Sequence, residues 1–377
     1  MRVSSTLSLA AFAVPALGDT HYFFSGFFAG TSVIGAQFDD VTSSLTLVNN
    51  ISTDVTSGSK WITLDARLRN LYVGTTGYVQ SYAITSNLSL AYKSNVSLSS
   101  DCENANFVAA ATAYPYTVIG TPYSLGCSSL AISVDETGTL ETAFANATYN
   151  SAAGVHGTAL SSKNDFIYSA DDMGNAVWVH SYDSQTGTIE KVQYLPAPNG
   201  SDPRHLAVHP NDKWVYVVYE AAGTIASYSR NTLTGELTSI NKTYSLLPPS
   251  FTNASSSYWA DEVLFSYPEH ENAAPKYLLA ATRSRTEGVP GYVSAFALDS
   301  ISGAITEQLF LLPTTNSGGS ANAISPAKFS EQYFAITDSG SNFIEVWKID
   351  ESEAGTTASA VAHLDTDEGP ANVVWLS

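Results

Sequence analysis

Short apolar stretches alternate with polar turns along the whole chain. The segment YDSQTGTIE at residues 182–190 joins two such stretches, and Asp, Ser or Thr, and Gly between alternating segments are typical of a β-hairpin turn. Related segments recur, most of them about 45 to 55 residues apart, starting at Phe38, Ala83, Val134, Arg230, Leu298 and Ile349. Each copy follows a strand-like stretch, so the pattern predicts seven repeated β-units.

A second hairpin precedes most copies. A strand, a polar turn and another strand are indicated in WITLDARLRNLYVGTT, HGTALSSKNDFIYSADD and RHLAVHPNDKWVYVVYE. No segment shows a helical period. The pattern therefore predicts an all-β fold, a seven-bladed β-propeller of four-stranded antiparallel blades. The chain ends in the lone strand NVVWLS while its first repeat lacks a first strand, so the N- and C-terminal strands should share one blade and close the ring.

The N-terminal segment MRVSSTLSLAAFAVPALGDT does not fit the repeat. It combines one positive charge at Arg2, an apolar stretch and small residues at Ala16 and Gly18, which is the pattern of a secretory signal peptide. The apolar stretch is too short to cross a membrane. We therefore predict a signal peptide at residues 1–18, a single propeller domain at residues 19–377 and a secreted, extracellular protein.

The cysteines and the glycosylation motifs agree with export. Cys102 and Cys127 are the only cysteines, and in an oxidising compartment they should form one disulfide; the alternative is a pair of buried thiols. Asn-x-Ser/Thr motifs are candidate acceptors of N-linked glycans. They occur at Asn50, Asn87, Asn95, Asn146, Asn199, Asn241 and Asn253.

The chain is strongly acidic. Thirty-five Asp and Glu residues against sixteen Lys and Arg give a formal net charge of −19 at pH 7. This charge repels phosphate backbones and anionic lipids, so we expect neither nucleic acid nor a membrane as a partner. An anionic substrate would require basic residues gathered at its binding site.

Four ionisable residues should converge on one mouth of the central channel. In a propeller the first strand of each blade lines the channel, and its start lies beside the end of the second strand. Arg204 begins a first strand and Glu220 ends the second strand of that blade. His156 has the Arg204 position one blade earlier, and Arg283 has the Glu220 position one blade later. We predict a functional site here; the alternative is a purely structural cluster of ion pairs.

Other polar residues of the region have structural interpretations. His209 lies in a hairpin turn at the far end of its blade, and we expect a structural function for it. Strand alternation predicts that His205 points away from the channel. Carboxylates near the rim could bind backbone amides between blades. The other residues at equivalent positions, at the starts of first strands or the ends of second strands, are Asp171, Asp261, Asn322 and Asp338.

The two arginines argue against a metal. Carboxylates and a histidine at a channel mouth could bind calcium or zinc, but Arg204 and Arg283 would compete with a cation for the carboxylates. Cys102 and Cys127 have no histidine near them in the sequence and do not form a zinc motif. We predict neither a metal nor another cofactor.

Several segments resemble a known enzyme family. GVHG, DPRHLAVHPNDKWVYVVYEAAGTIASY, QLFLLPTTNSGGSANAISP and AITDSGSNFIEVWKID are similar to the fungal 3-carboxy-cis,cis-muconate lactonizing enzymes, also called carboxy-cis,cis-muconate cyclases. These belong to a lactonase family of seven-bladed propellers that includes bacterial 6-phosphogluconolactonases. The resemblance runs from about Trp61 to the C-terminus.

The resemblance implies a metal-independent addition in which a carboxylate of a cis,cis-muconate attacks a conjugated double bond of the same molecule and gives a muconolactone. Arg204 and Arg283 would hold carboxylates, and His156 and Glu220 would form the acid/base pair, with Glu220 orienting or tuning the histidine. Ser320 follows Ser-Gly-Gly, where the family often has a histidine. Substrate contacts are expected at Ser320, Asn322 and Asp261.

Three functions stay open at this point. The first is a secreted enzyme that makes or opens a lactone of a di- or tricarboxylic acid. The second is a sugar-lactone hydrolase in which His156 or Glu220 activates water; the two arginines favour the first function, because a neutral sugar lactone does not need them. The third is a non-catalytic propeller that binds a small anion or a cell-wall partner, which a fully ion-paired and closed cluster would favour.

Overall fold

Seven four-stranded antiparallel sheets arranged in a ring make up the described part of the chain, residues 19–53, 57–251, 256–270 and 273–376 of this computed structural model. The predicted signal peptide at residues 1–18 lies outside the described residues. Three short 3-10 turns, Ser86–Leu88, Ser100–Cys102 and Pro249–Phe251, are the helical elements among the described residues. None of the described helices is long and apolar enough to span a membrane.

The strands follow the chain blade by blade, except that the last strand joins the first blade. Blade 1 contains β28 (Pro370–Trp375), β1 (Thr20–Phe27), β2 (Ser32–Asp39) and β3 (Ser44–Ser52). Blade 2 contains β4 (Trp61–Leu64), β5 (Asn70–Gly74), β6 (Tyr78–Thr85) and β7 (Ser89–Ser97). Blade 3 contains β8 (Ala105–Ala110), β9 (Val118–Pro122), β10 (Ser129–Val134) and β11 (Leu140–Ala147).

The other four blades have the same order from the channel outwards. Blade 4 contains β12 (Val155–Leu160), β13 (Phe166–Asp171), β14 (Ala176–Asp183) and β15 (Thr188–Pro196). Blade 5 contains β16 (Pro203–Val208), β17 (Trp214–Tyr219), β18 (Thr224–Arg230) and β19 (Leu237–Ser245). Blade 6 contains β20 (Tyr258–Phe265), β21 (Tyr277–Ser284), β22 (Tyr292–Leu298) and β23 (Ile305–Pro313). Blade 7 contains β24 (Asn322–Pro326), β25 (Tyr333–Asp338), β26 (Phe343–Ser352) and β27 (Gly355–Asp365).

The two ends of the chain close the ring. Strand β28 pairs antiparallel with β1, with Phe24 opposite Val374, and β28 packs beside β4 of blade 2 and β24 of blade 7. The innermost strands of neighbouring blades are in contact around the whole channel. The fold predicted from the repeat, including the blade shared by both termini, is confirmed.

The glycine of the repeated turn has a specific partner in the preceding blade. The turns between third and fourth strands contain glycines with positive φ, such as 74° at Gly235, a conformation that glycine adopts without strain. A buried tyrosine of the preceding blade donates its hydroxyl to that glycine's carbonyl oxygen. The three pairs are Tyr72 with Gly138 at 3.0 Å, Tyr168 with Gly235 at 2.9 Å and Tyr216 with Gly303 at 2.8 Å. The repeat therefore fixes the contact between blades as well as the hairpin.

The hydrophobic core is divided among the spaces between blades. Between blades 4 and 5, for example, Tyr168, Val179, Val215 and Val217 pack together and are fully buried. Similar clusters lie between the other neighbouring blades. Because apolar burial is spread around the ring in this way, the polar residues of the channel carry little of the hydrophobic packing.

The predicted disulfide joins the loop between β7 and β8 to the loop between β9 and β10. Cys102 and Cys127 are joined, with Cα atoms 5.7 Å apart, which confirms the predicted disulfide. Six of the glycosylation motifs have exposed asparagines, at Asn50, Asn87, Asn95, Asn146, Asn199 and Asn241. The seventh, at Asn253, lies outside the described residues.

Candidate active site

β-Bulges near the start of four consecutive innermost strands bring polar residues into the channel. In each strand, the pairing with the second strand of the blade skips one extra residue. A bulge interrupts the strict alternation of side chains and re-aims one of them. The bulged positions are Asn106 in β8, His156 in β12, Arg204 with His205 in β16, and Asp261 in β20.

Two arginines and two carboxylates form a closed ring of ion pairs, called here the ion-pair ring. Arg204 Nη1 donates to Glu220 Oε1 at 2.6 Å, and Arg283 Nη2 donates to the same oxygen at 3.0 Å. Arg283 Nη1 donates to Asp261 Oδ1, which lies 3.5 Å from Arg204 Nε. The four side chains are between 1% and 8% exposed. The structure thus brings Arg204, Glu220 and Arg283 together and adds Asp261 to them.

Burial and charge pairing act in opposite directions in the ion-pair ring. Burial raises the pKa of Asp261 to about 6, and Arg283 and Arg204 oppose this increase. Burial alone would lower the pKa of Arg204, but Glu220 and Asp261 raise it overall. At neutral pH the two positive and two negative charges cancel. Within the described ranges, no three His, Cys, Asp or Glu side chains come together as a metal site.

His156 belongs to a hydrogen-bonded chain that crosses four blades, called here the histidine chain. Its Nδ1 is 2.9 Å from His205 Nε2, and His205 Nδ1 is 2.6 Å from Glu262 Oε2. Asn106 Nδ2 is 3.1 Å from His156 Nε2. A carboxylate only accepts and an amide nitrogen only donates, so both histidines carry their proton on Nδ1. His156 is left with an acceptor nitrogen, Nε2.

The surroundings of His156 keep its imidazole neutral. Burial lowers the pKa of His156 well below its usual value, and Arg204, His205 and Arg283 lower it further. The ring of Tyr123 lies edge-on to His156, with centroids 4.8 Å apart, and its hydroxyl donates to Asp172 Oδ2. Burial, with the charge of Glu220, raises the pKa of Asp172 to about 6. A neutral imidazole whose Nε2 accepts the Asn106 N–H is suited to accept a proton from a substrate that displaces this amide.

His205 lies inside the channel, so the expectation that it points away is wrong. Its ring centroid is 5.0 Å from that of Trp61 and 5.1 Å from that of Phe107, two aromatic residues on the innermost strands of blades 2 and 3. Alternation fails here because pairing in β16 steps from Pro203 to Leu206 while the second strand advances by only two residues. Arg204 and His205 can therefore both serve the site.

The carboxylate that orients His156 is Glu262, acting through His205. Glu220 Oε1 bonds both arginines, and its hydrogen bonds do not reach His156. Sequence reasoning missed Glu262 because it follows Asp261 directly, and only the bulge in β20 makes both residues available. The available signal was the succession of two acidic residues in the middle of an otherwise apolar strand.

Asn322 adjoins the ion-pair ring, whereas Ser320 lies outside it. The backbone N–H of Asn322 donates to Asp261 Oδ2 at 3.3 Å. The side-chain nitrogen of Asn322 donates to the carbonyl oxygen of Thr282 at 3.0 Å. Asn322 Oδ1 is buried and, among the described residues, has no hydrogen-bond partner. Ser320 is exposed in the loop before β24, and its contact with substrate stays a prediction.

The other rim carboxylates accept backbone N–H groups where neighbouring blades join, as the sequence-based interpretation expected; Asp338, for example, accepts that of Gly318, in the linker from blade 6 to blade 7, at 3.2 Å. Asp171 accepts the N–H groups of Gly154 and Gly174 at 2.8 Å each, and Asp338 accepts that of Ser341 at the same distance. His209 accepts the N–H of Asn211 at 3.1 Å and packs against Phe265. Asp261 alone of the three aspartates joins the ion-pair ring.

Comparison with known proteins identifies the family. The sequence profile described as Lactonase, 7-bladed beta-propeller, matches residues 26–270. The chain belongs to this lactonase family. It is 28% identical over 332 residues to carboxy-cis,cis-muconate cyclase of Neurospora crassa, an alignment that covers 84% of this chain and 88% of that protein. It is 30% identical over 237 residues to muconate cycloisomerase 1 of Cutaneotrichosporon cutaneum, covering 59% of each protein.

Solved structures of other proteins share the fold. The periplasmic gluconolactonase PpgL of Pseudomonas aeruginosa superposes with a TM-score of 0.78 at 17% identity, over 95% of this chain and 99% of that one. A Bacteroides uniformis protein regarded as a 6-phosphogluconolactonase superposes with a TM-score of 0.76 at 17% identity, over the same shares. At this identity the comparison shows the fold alone. The resemblance to the muconate lactonizing enzymes and their family, first drawn from short segments, is confirmed.

Proposed function

We propose that this chain is a secreted, metal-independent enzyme that interconverts a small muconate-type polycarboxylate and its lactone. The observation that carries the proposal is the neutral His156, whose Nε2 is an acceptor, beside the two arginines of the ion-pair ring. The similarity to carboxy-cis,cis-muconate cyclase over most of both chains supports this substrate class.

The chemistry requires one proton transfer at carbon. In ring closure, a substrate carboxylate oxygen forms a bond to a carbon of the conjugated double bond, and the enolate that results takes a proton at its α-carbon. In ring opening, His156 Nε2 removes that proton and the C–O bond breaks. Arg204 and Arg283 stabilise the carboxylates and the enolate electrostatically. The negative charge of a bound substrate strengthens proton binding by His156, so the same residue serves both directions.

A second function, hydrolysis of a neutral sugar lactone, has one observation in its favour. Arg204 and Arg283 each face Glu220 and Asp261, so the ion-pair ring has no excess positive charge for a polyanion. The presence of two arginines is therefore a weaker argument for an anionic substrate than the sequence suggested. In hydrolysis, His156 Nε2 would accept a proton from the water that attacks the lactone carbonyl carbon.

The third function, a non-catalytic binding propeller, is weakened by the histidine chain. The ion-pair ring is buried and balanced, which is the condition that would favour this function. However, a structural cluster of ion pairs does not need a neutral histidine held in one tautomer by His205 and Glu262. This arrangement instead matches the requirements of an acid/base catalyst.

One set of assays separates these functions. The purified protein is incubated with 3-carboxy-cis,cis-muconate while the ultraviolet absorbance of the conjugated diene is recorded, and with glucono-lactone while acid release is titrated. His156→Ala is tested beside the wild type, and His209→Gln, which changes a histidine in a distant turn, serves as the folding control. The first function is supported if the diene is lost with the wild type and with His209→Gln but not with His156→Ala. Acid release alone supports the hydrolase, and no reaction with either substrate contradicts both proposals.

Secretion is part of the proposal and has its own test. The disulfide and the six exposed glycosylation motifs support it. Expression of the full chain in a eukaryotic host should place the protein in the medium, with Asp19 as its first residue and a mass that falls on treatment with an endoglycosidase. A protein that stays in the cells with residues 1–18 attached would overturn this part.

A further inference from the structure

The histidine chain ends at a second space in the channel. Glu262 lines a cavity of about 290 Å³ that is bounded by the later residues of the innermost strands, away from the ion-pair ring. Trp61 and Phe107, which contact His205, line the same cavity. Tyr267 at its edge is 45% exposed, so the cavity opens to solvent. The aromatic residues and His205 thus lie between this cavity and the site of His156.

Both reactions considered above exchange one proton with solvent in every turnover. Ring closure converts a carboxylate into an ester and takes up one proton at carbon, whereas ring opening and lactone hydrolysis each release one. A substrate bound between His156 and the arginines occupies the mouth through which water would otherwise reach His156 Nε2. His156 is only 6% exposed, so its proton requires another route. This requirement for a second proton route rests on the proposed function.

We propose that His205 and Glu262 transfer this proton between His156 and water in the channel cavity. When His156 Nε2 receives a proton from substrate, His156 Nδ1–H passes its proton to His205 Nε2. His205 Nδ1–H then passes its proton to Glu262 Oε2, which releases it to water. Each histidine ends with its proton on Nε2 instead of Nδ1, and no charge accumulates. After product release both rings turn over, which brings an unprotonated nitrogen back to the substrate side for the next turnover. Proton uptake for ring closure is the same sequence in reverse.

The geometry meets the requirements of such a transfer. Both steps cross short hydrogen bonds, 2.9 Å between the histidines and 2.6 Å from His205 to Glu262. The charged and titratable groups that face the two histidines are Arg204, Arg283 and Tyr123 on the His156 side and Glu262 on the His205 side. Lys328 also lines the cavity, where burial lowers its pKa to about 8, so it exchanges protons near neutral pH.

Glu262→Gln separates proton transfer from simple orientation of His156. The glutamine oxygen can still accept the His205 Nδ1–H bond, so a residue that only orients the histidines would leave kcat nearly unchanged. If Glu262 transfers protons, kcat falls by roughly 10²-fold, the lower end of the contribution of an acid/base group, while KM stays within about twofold. Added imidazole, which is small enough for the cavity, should restore kcat in proportion to its concentration, and a bulky buffer should not.

Glu345→Gln is the matched control. Glu345 is also a buried glutamate bonded by a histidine, with Oε1 3.1 Å from His363 Nδ1, but it lies on the third strand of blade 7, outside the channel. The same substitution at Glu345 should leave kcat and its response to imidazole at wild-type values. Equal kcat in wild type and Glu262→Gln, or the same loss in Glu345→Gln, would overturn the proposal.

A measurement without substrate distinguishes failure of the relay from failure of the proposed function. In protein labelled with ¹⁵N-histidine, nuclear magnetic resonance gives the exchange rates of the His156 and His205 ring N–H protons with water. Glu262→Gln should slow both rates at least about tenfold, and Glu345→Gln should not change them. Unchanged rates in Glu262→Gln contradict the relay whatever the substrate. Slowed rates in a protein whose His156→Ala variant keeps full activity support the relay and contradict the proposed function.

Discussion

Gly157 and His205 approach each other so closely that only glycine fits at position 157. A Cβ atom there would lie 2.5 Å from His205 Cδ2 and 2.7 Å from the carbonyl oxygen of Arg204. Gly157 directly follows the bulge at His156. Because Gly157 has no side chain, the ring of His205 from the next blade can lie close to it and reach His156. The second glycine of the GVHG segment is therefore part of the histidine chain.

Gly157→Ala should separate the two histidines. The added methyl group displaces His205, so we expect the His156–His205 hydrogen bond to break, kcat to fall at least about tenfold and the free energy of unfolding to fall by about 1–3 kcal/mol. Gly35→Ala is the control, because its Cβ, in blade 1, would lie 2.8 Å from Leu88 Cβ of blade 2. A comparable loss of stability with full activity is expected there. Steady-state kinetics and urea unfolding of both variants check the prediction.

Arg204→Ala should cost stability as well as activity. Although Arg204 lies at the channel mouth, it is buried and bonds Glu220 and Asp261 of two blades. Its removal leaves the two carboxylates paired with Arg283 alone. Breaking buried ion pairs in this way should lower the free energy of unfolding by about 3–5 kcal/mol. Arg204→Lys keeps the charge and should recover most of the stability while activity stays low. Equal unfolding curves for wild type and Arg204→Ala would contradict the ion-pair ring.

Asp172 should make the protein less stable as the pH rises. Burial raises its folded-state pKa to about 6, above the unfolded value of 3.8, so ionisation is harder in the folded protein. The resulting loss of stability is absent below pH 4, develops between about pH 4 and 6 and is complete above that range. Asp172→Asn keeps an acceptor for Tyr123 and should be more stable than wild type at pH 7 but not at pH 4. Urea unfolding at several pH values tests this.

Asp183→Asn provides a control of opposite sign. The backbone N–H of Gln185 lowers the pKa of Asp183, so this carboxylate stabilises the fold above its unfolded pKa, and that stabilisation is lost as the pH falls. Asp183→Asn should therefore be less stable than wild type at pH 7, with a difference that shrinks towards pH 3. Parallel pH profiles for the two asparagine variants would contradict one of the two assignments, and the sign of the common slope would show which.

Reduction of the disulfide should destabilise the protein measurably. Cys102 and Cys127 are 25 residues apart, and a cross-link of that span stabilises a fold by about 3 kcal/mol through the unfolded chain. The Tm measured with a reductant should fall, and a Cys102→Ser/Cys127→Ser variant should have the lower Tm without reductant. The double variant must not respond to reductant; if it does, the effect arises elsewhere.

The architecture was predictable because it follows from repetition. The Asp-to-Gly turn of each blade recurs along the chain, and the chain terminates in a strand that lacks a hairpin partner of its own, which together define seven closed blades. The same register places Arg204, Glu220 and Arg283 at one level of the channel, and they do form ion pairs there. Repetition thus carries information about residues that are far apart in the sequence.

The part of the site that escaped prediction lies where the repetition breaks. His205 lies in a bulge and Glu262 directly follows one, and strict alternation assigns a residue beside a channel-facing position to the opposite side of the sheet. A bulge depends on the pairing of two strands and leaves no mark in the hydrophobic pattern of one. The balance of charges in the ion-pair ring likewise depends on Asp261, which reaches the arginines through its own bulge.

Pairing of β1 with β28 sets a limit on when the ring can be completed during synthesis. Phe23 and Phe24, among the first residues of the domain to be made, have Trp375 and Val374 as strand partners, among the last. While translation proceeds, the inner edge of β1 has no partner from its own chain, and an unpaired edge can bind other strands. A chain that stops before residue 370 would therefore have six complete blades and a three-stranded blade 1 with an open edge.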